Sequence, residues 1–173
     1  IKINKRGAAV THARLISTAS LPSQQEFEKE CVQPLILQAR GLFSQELGLA
    51  ADDPDLSTDS VRNSYASGEL ALANFITDAM VTRLKTNHQI VDFAMIDSSS
   101  LRRGLSAGEP VTLGDWFNVM PFADTVRVYR LTGKQIFELL QDNASRVDRP
   151  NEPHTERGFL QFSAELRYSV SLG

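Results

Sequence analysis

The sequence predicts an α+β fold, with helices packed on a mixed sheet and strands that do not simply alternate with them. Two kinds of apolar spacing carry the prediction. Residues 24–47, 68–85 and 133–145 repeat apolar positions at helical spacing, whereas 90–96, 126–131, 159–163 and 166–171 are apolar or alternating runs of strand length. Size agrees: 173 residues with 42% hydrophobic content suffice for an ordinary core.

Ile1 and Ile3 alternate with polar residues before Gly7, and residues 9–16 read as a return strand. No apolar h-region is present to mark a signal peptide. A lone hairpin is marginal in water, so this start reads as the tail of something larger. Ser23-Gln24-Gln25-Glu26 behind Pro22 has the form of a capping box and predicts a helix. Phe27, Cys31, Leu35, Ala39, Leu42, Phe43 and Leu47 form its apolar face, Pro34 kinks it and Gly48 stops it. Residues 50–59 are polar and acidic and read as a linker. Ser67 is expected to cap a helix over 68–85 with Leu72, Phe75, Ile76, Ala79, Met80 and Leu84 inward. Residues 90–96 read as a buried strand that runs into a small polar loop, Asp97 to Gly104. Thr112 with Asp115 predicts a capped helix over Leu113–Met120, ended by Pro121. After the strand at 126–131, Thr132 with Gln135 predicts another, Gly133 to Ser145. An exposed charged loop at 146–157 precedes two closing strands.

Composition excludes several functions. A net charge of −3 makes a poor polyanion binder, so no nucleic-acid partner is expected. No apolar run approaches the roughly 18–20 residues of a membrane span. A single cysteine, Cys31, permits neither an internal disulfide nor a thiolate zinc cluster, and core packing is its expected role. His12, His88 and His154 lack i, i+4 pairing. His88 reads as a turn residue, and the loop carrying Glu152, His154 and Glu156 as hydrated. No H-E-x-x-H, EF-hand, Walker or G-x-S-x-G motif occurs, so no catalytic or metal-ligating residue is assigned.

The best constellation is the loop after the central strand. Serine hydroxyls, Ser99 among them, and backbone amides donate to oxyanions, and Arg102 can fork onto a phosphate or carboxylate. The plainer reading is a polar turn with a surface arginine. Phe122, behind Pro121, is either a stacking aromatic worth ~1–3 kcal/mol on a planar base or a core residue.

Five ordered pieces resemble the C-terminal domain of the 5′-nucleotidase family, which includes UDP-sugar hydrolases and cyclic phosphodiesterases. They are Glu69…Asn74…Asp78-Ala79-Met80, Ile96-Asp97-Ser98-Ser99-Ser100-Leu101-Arg102, Pro121-Phe122-Ala123-Asp124, Leu131-Thr132-Gly133 and Gly158-Phe159-Leu160-Gln161-Phe162-Ser163. The resemblance implies three parts: residues 1–20, the tail of an absent N-terminal metallophosphatase domain; 21–60, a connecting helix and linker; and 61–173, a substrate-recognition domain incomplete at its C-terminal end. It implies a nucleotide or nucleoside ligand, and a divalent pair (Zn, Mn or Co) carried by the absent domain rather than by these residues. It further implies a periplasmic or secreted location. Arg102 would meet phosphate or carboxylate-like oxygens and Phe122 would clamp a base. Asp97 and Asp124 stand where the family has asparagines, so acceptor-only groups favour donor-rich partners such as guanine or ribose hydroxyls. Ala66 replaces a family arginine, Arg157 a glycine, and serines its loop glycines. The implied function is substrate recognition within a nucleotide-hydrolysing enzyme, the chain being inactive alone. The rival expectations are a non-catalytic module of the same fold, or a hydrolase of another phosphate or sulfur ester.

Overall fold

The computed structural model describes residues 2–4, 7–9, 14–64, 68–122, 124–147 and 159–171. Its contacts divide the chain into two units, residues 1–40 and 41–173.

In the first unit, β1 (Lys2–Asn4) pairs antiparallel with β2 (Gly7–Ala9), Ile3 facing Ala8. The return strand therefore starts at Gly7, earlier than its alternation suggests, and residues 14–17 hold no regular structure. A helical run follows: α1 (Gln25–Phe27), a π-helical stretch (Glu28–Val32) and α2 (Gln33–Phe43). The wider turn sits just ahead of Pro34, whose ring clashes with the carbonyl four residues back in a regular helix. The proline is thus absorbed by a local change of pitch. The expected capping box does not form: Gln24 is the N-cap without a side-chain bond, and Ser23 Oγ donates instead to Glu28 Oε2 at 3.3 Å. The expected apolar face is not a buried one. Phe27, Leu35 and Leu42 are exposed, as is Cys31, which corrects its assignment to a core.

The second unit contains β3 (Glu46–Ala50), α3 (Thr58–Ser64), α4 (Ala71–Thr86), β4 (Met95–Asp97), β5 (Pro110–Thr112), α5 (Leu113–Val119), α6 (Gly133–Ser145) and β6 (Leu160–Phe162). β3 pairs antiparallel with β5, and β4 with β6, so the α+β class holds with small two-stranded sheets. Gly48 does not stop a helix. It sits in β3 at φ +69°, where the register slips between Glu46 opposite Thr112 and Ala50 opposite Pro110. β3 advances four residues where β5 advances two, and at this irregularity glycine adopts the left-handed backbone without a Cβ clash.

The stretch read as a linker is built into the fold. Ala51 is buried, Asp53 Oδ1 accepts the Asp55 amide at 2.9 Å to cap a 3₁₀ turn (Pro54–Leu56), and Leu56 packs on the core. Ser57 Oγ then accepts the Ser60 amide at the start of α3. The core gathers Val61, Leu70, Leu72, Ala73, Ile76, Ile96, Leu101, Leu105, Val111 and Val119, with Met80 and Trp116 against it.

α4 begins at Ala71 rather than at residue 68, and Leu70 is its N-cap; Ser67, its expected cap, lies outside the described residues. Its buried face is Leu72, Ala73, Ile76, Thr77 and Val81, rotated from the expected one, so Phe75 and Ala79 are exposed. Thr77 tolerates full burial because its hydroxyl donates to the Ala73 carbonyl at 2.9 Å. The helix closes on His88 at φ +59°. The Gln89 and His88 amides reach the Leu84 and Lys85 carbonyls, a Schellman ending with histidine in the usual glycine place.

Both downstream capping boxes form as read. Thr112 and Asp115 exchange bonds at 2.9 and 3.1 Å, and Thr132 and Gln135 at 2.8 and 3.3 Å. The strand expectations shrink. Residues 90–96 and 159–163 yield β4 and β6, whereas 126–131 and 166–171 are not strands.

Candidate functional site

The loop from Asp97 to Leu105 is strapped by a series of hydrogen bonds. Ser98, fully buried, donates its amide to the Phe159 carbonyl at 2.9 Å, beside β6. Asp97 Oδ1 accepts the Ser99 amide at 2.7 Å, capping a 3₁₀ turn (Ser98–Ser100) that the Leu101 amide closes on the Ser98 carbonyl at 3.1 Å. Leu101 then drops into the core. The Arg102 amide donates to the Val119 carbonyl at 2.9 Å. Two residues on, the Gly104 amide reaches Thr58 Oγ1 at 3.1 Å and the Leu105 amide the Leu56 carbonyl at 2.8 Å. Gly104 lies so close to the Ser57 backbone that any Cβ there would collide with it. The side chains of Arg102 and Arg103 remain exposed.

Val119 is the last residue of α5, and Pro121 and Phe122 follow it. The Arg102 bond therefore ties the arginine loop to the turn that presents Phe122, whose ring is 48% exposed. Asp124 is exposed and Ser99 half-buried; Ala123 between the two motif halves lies outside the described residues. Serine is no obstacle to this loop. None of Ser98, Ser99 and Ser100 has a positive φ, so glycine's special backbone is not needed.

A groove of about 700 Å³ lies elsewhere, lined by Glu69, Asn74, Asp78, Gln161, Ser163 and Tyr168 among others, and by none of the five expected site residues. Its walls mix apolar side chains such as Phe159 and Phe162 with polar ones, and the polar side chains in and beside it have structural partners. Gln161 accepts the Leu70 amide at 3.0 Å and donates to the Gly68 carbonyl at 2.8 Å, pinning the entry to α4. Asn143 donates to the Leu160 carbonyl at 2.9 Å and accepts its amide at 2.6 Å, pinning α6 to β6. Asp78 Oδ1 accepts the Ala164 amide, and Ser163 Oγ the Ala94 amide. Burial pushes the Tyr168 hydroxyl above its ordinary pKa, against the Asn143 hydrogen bond and with the charge of Glu69.

Sequence reading missed Asn143 altogether and took Gln161 and Ser163 as motif letters only. The available signal was polar residues placed inside a short apolar strand, where burial demands partners.

Among the described residues no three His, Cys, Asp or Glu side chains come together to hold a metal, so a two-metal centre is not assigned to them. His12, His154, Glu152, Glu156, Ala66 and Arg157 lie outside the described residues. No helix among the described residues is long and apolar enough to cross a membrane.

The family described as 5′-nucleotidase, C-terminal domain, matches residues 47–173. The chain is 30% identical over 152 residues to the trifunctional nucleotide phosphoesterase protein YfkN of Bacillus subtilis (strain 168), covering 86% of this chain and 10% of the relative. It is 30% identical over 114 residues to the endonuclease YhcR of the same organism, covering 65% of this chain and 8% of the relative. The chain thus spans about a tenth of the length of these relatives. No solved structure matches it. With the ordered motifs, the α+β fold and this match in agreement, the chain belongs to the 5′-nucleotidase C-terminal domain family.

Proposed function

We propose that this chain is the substrate-gripping part of a nucleotide phosphoesterase. Arg102 takes the phosphate or carboxylate-like oxygens of a nucleotide, and Phe122 stacks on its base. Ser99 donates to the oxyanion, while Asp97 and Asp124 accept from sugar hydroxyls or base N–H groups. The carrying observation is the Arg102 amide on the Val119 carbonyl, which joins the arginine loop to the Pro121-Phe122 turn. A guanidinium and a half-exposed ring on two chain segments held by one bond form the minimum of a nucleotide grip.

Hydrolysis belongs, on this reading, to a metallophosphatase domain preceding residue 21, whose divalent pair (Zn, Mn or Co) supplies the activated water. A periplasmic or secreted location goes with the same proposal. The activities that the two relatives are named for, a nucleotide phosphoesterase and an endonuclease, support phosphoric esters of nucleotides as the substrate class.

Titration calorimetry of the intact protein with a nucleoside monophosphate tests the grip. Arg102→Ala is expected to weaken binding at least tenfold. Phe122→Ala weakens it by about 1–3 kcal/mol, for the nucleoside as well as the nucleotide. One observation favours a second reading, a module without nucleotide contacts: the ~700 Å³ groove contains neither Arg102 nor Phe122. No saturable binding by the wild type would establish that module and end the nucleotide proposal.

A further inference from the structure

We infer that Asp97 is a positioning residue for Arg102, in addition to the acceptor role given to its outer oxygen. This inference rests on the nucleotide-grip reading for its effect on ligand, but not for its effect on the loop.

Asp97 carries two oxygens, and the Ser99 amide takes one of them at 2.7 Å. That bond does three things in sequence. It starts the turn over Ser98–Ser100, the turn sends Leu101 into the core, and the next amide, that of Arg102, lands on Val119. An acceptor side chain at a turn's first position holds an amide that otherwise has no intrachain partner. Ser98 is already fixed from the other side by Phe159 and the Leu101 amide closes the turn on the Ser98 carbonyl, so the Asp97 bond adds a side-chain hold at the start of a turn whose far end is anchored. A preorganised guanidinium gives up less freedom on meeting an oxyanion, so the cap is felt as affinity for the charged part of the ligand.

Asparagine keeps the accepting oxygen and caps as well as aspartate, whereas alanine does not. Four variants of the intact protein, Asp97→Ala, Asp97→Asn, Arg102→Ala and the double change to alanine, therefore separate position from charge. In ligand-free protein, Asp97→Ala should speed amide exchange at Ser99 and Arg102 about tenfold, and Asp97→Asn should leave it close to wild type. With a nucleoside monophosphate, Asp97→Ala should weaken binding about fivefold to tenfold. The bare nucleoside meets the outer oxygen of Asp97 but offers Arg102 no phosphate, so it should lose clearly less than the nucleotide. In an Arg102→Ala background the Asp97→Ala loss for the nucleotide should shrink to that of the bare nucleoside, because residues acting through one another are not additive. Unchanged exchange in Asp97→Ala overturns the inference, and so does a nucleotide loss that stays at its full size without the arginine. If the wild type binds no nucleotide, the grip proposal fails, and the exchange at Arg102 alone decides whether Asp97 positions the loop.

Discussion

Two regions of the second unit invert the expected relation between sequence pattern and burial. Around β6, polar side chains are inside: Asn143 and Ser98 are fully buried, and Gln161 and Ser163 nearly so. After α5, apolar side chains are outside: Val126, Val128, Tyr129 and Leu131 are 41–69% exposed. The first region is closed because the Gln161 and Asn143 amides and the Ser163 hydroxyl each meet backbone groups of another segment. The second alternates valine with arginine like a strand, yet no strand forms there. Alternation prepares two faces, but a strand needs a hydrogen-bonding neighbour, and among the described residues none is paired with 126–131. Burial in this fold is decided by who answers, not by polarity.

The largest test of this contrast is Gln161→Ala. It strands the Leu70 amide and the Gly68 carbonyl, and the expected destabilisation is about 2–4 kcal/mol by urea unfolding. A change under 1 kcal/mol means that the clamp is decoration. A smaller effect is expected at the cap of α5. Asp115 is held below its ordinary pKa first by the Thr112 hydroxyl and then by its amide, and its change to Asn, which keeps an accepting oxygen but removes the charge at the helix N-terminus, should cost about 0.5 kcal/mol at neutral pH. The folded carboxyl is the stronger acid, so its contribution is full above the unfolded value of about 3.9 and fades as pH falls through the folded value. A pH series of unfolding midpoints should show wild type and Asp115→Asn converging on the acid side; parallel curves contradict this. His88→Gly should stabilise by about 0.5 kcal/mol, as relief of the left-handed backbone outweighs the added freedom of the unfolded chain. A lower melting temperature in that variant counts against the Schellman ending. The smallest effect belongs to the exposed side: Val128→Thr should stay within about 0.5 kcal/mol. A cost above 1.5 kcal/mol would show that residues 126–131 are covered after all.

Local chemistry was legible where it closes within a few residues. The two boxes at Thr112–Asp115 and Thr132–Gln135 form as read, because cap and partner are three residues apart and need no third element. Ser23 fails the same reading, since its hydroxyl finds Glu28 instead. Gly48 was legible as a place for a positive φ but not as a bulge, because the bulge exists only against β5. For the candidate site, the residue types of Arg102 and Phe122 could be singled out from sequence. The bond that relates their segments runs from residue 102 to 119 and leaves no local mark. Asp97 shows the same division: its acidity is written in the chain, while its grip on Ser99 depends on how the turn is folded.

From the sequence alone came the α+β class, the two capped helices, the motif order that names the family, and a weakly acidic composition. Each follows from period, short-range bonding or residue identity. The tertiary structure alone decided which face of α4 is buried, that residues 50–59 serve the core, and that Gln161 and Asn143 are pins rather than surface polar groups. The physical reason is common to all three. Burying a polar group or turning a helix face inward is favourable only when a distant segment supplies the matching donor, acceptor or apolar surface, and distance along the chain does not encode that meeting.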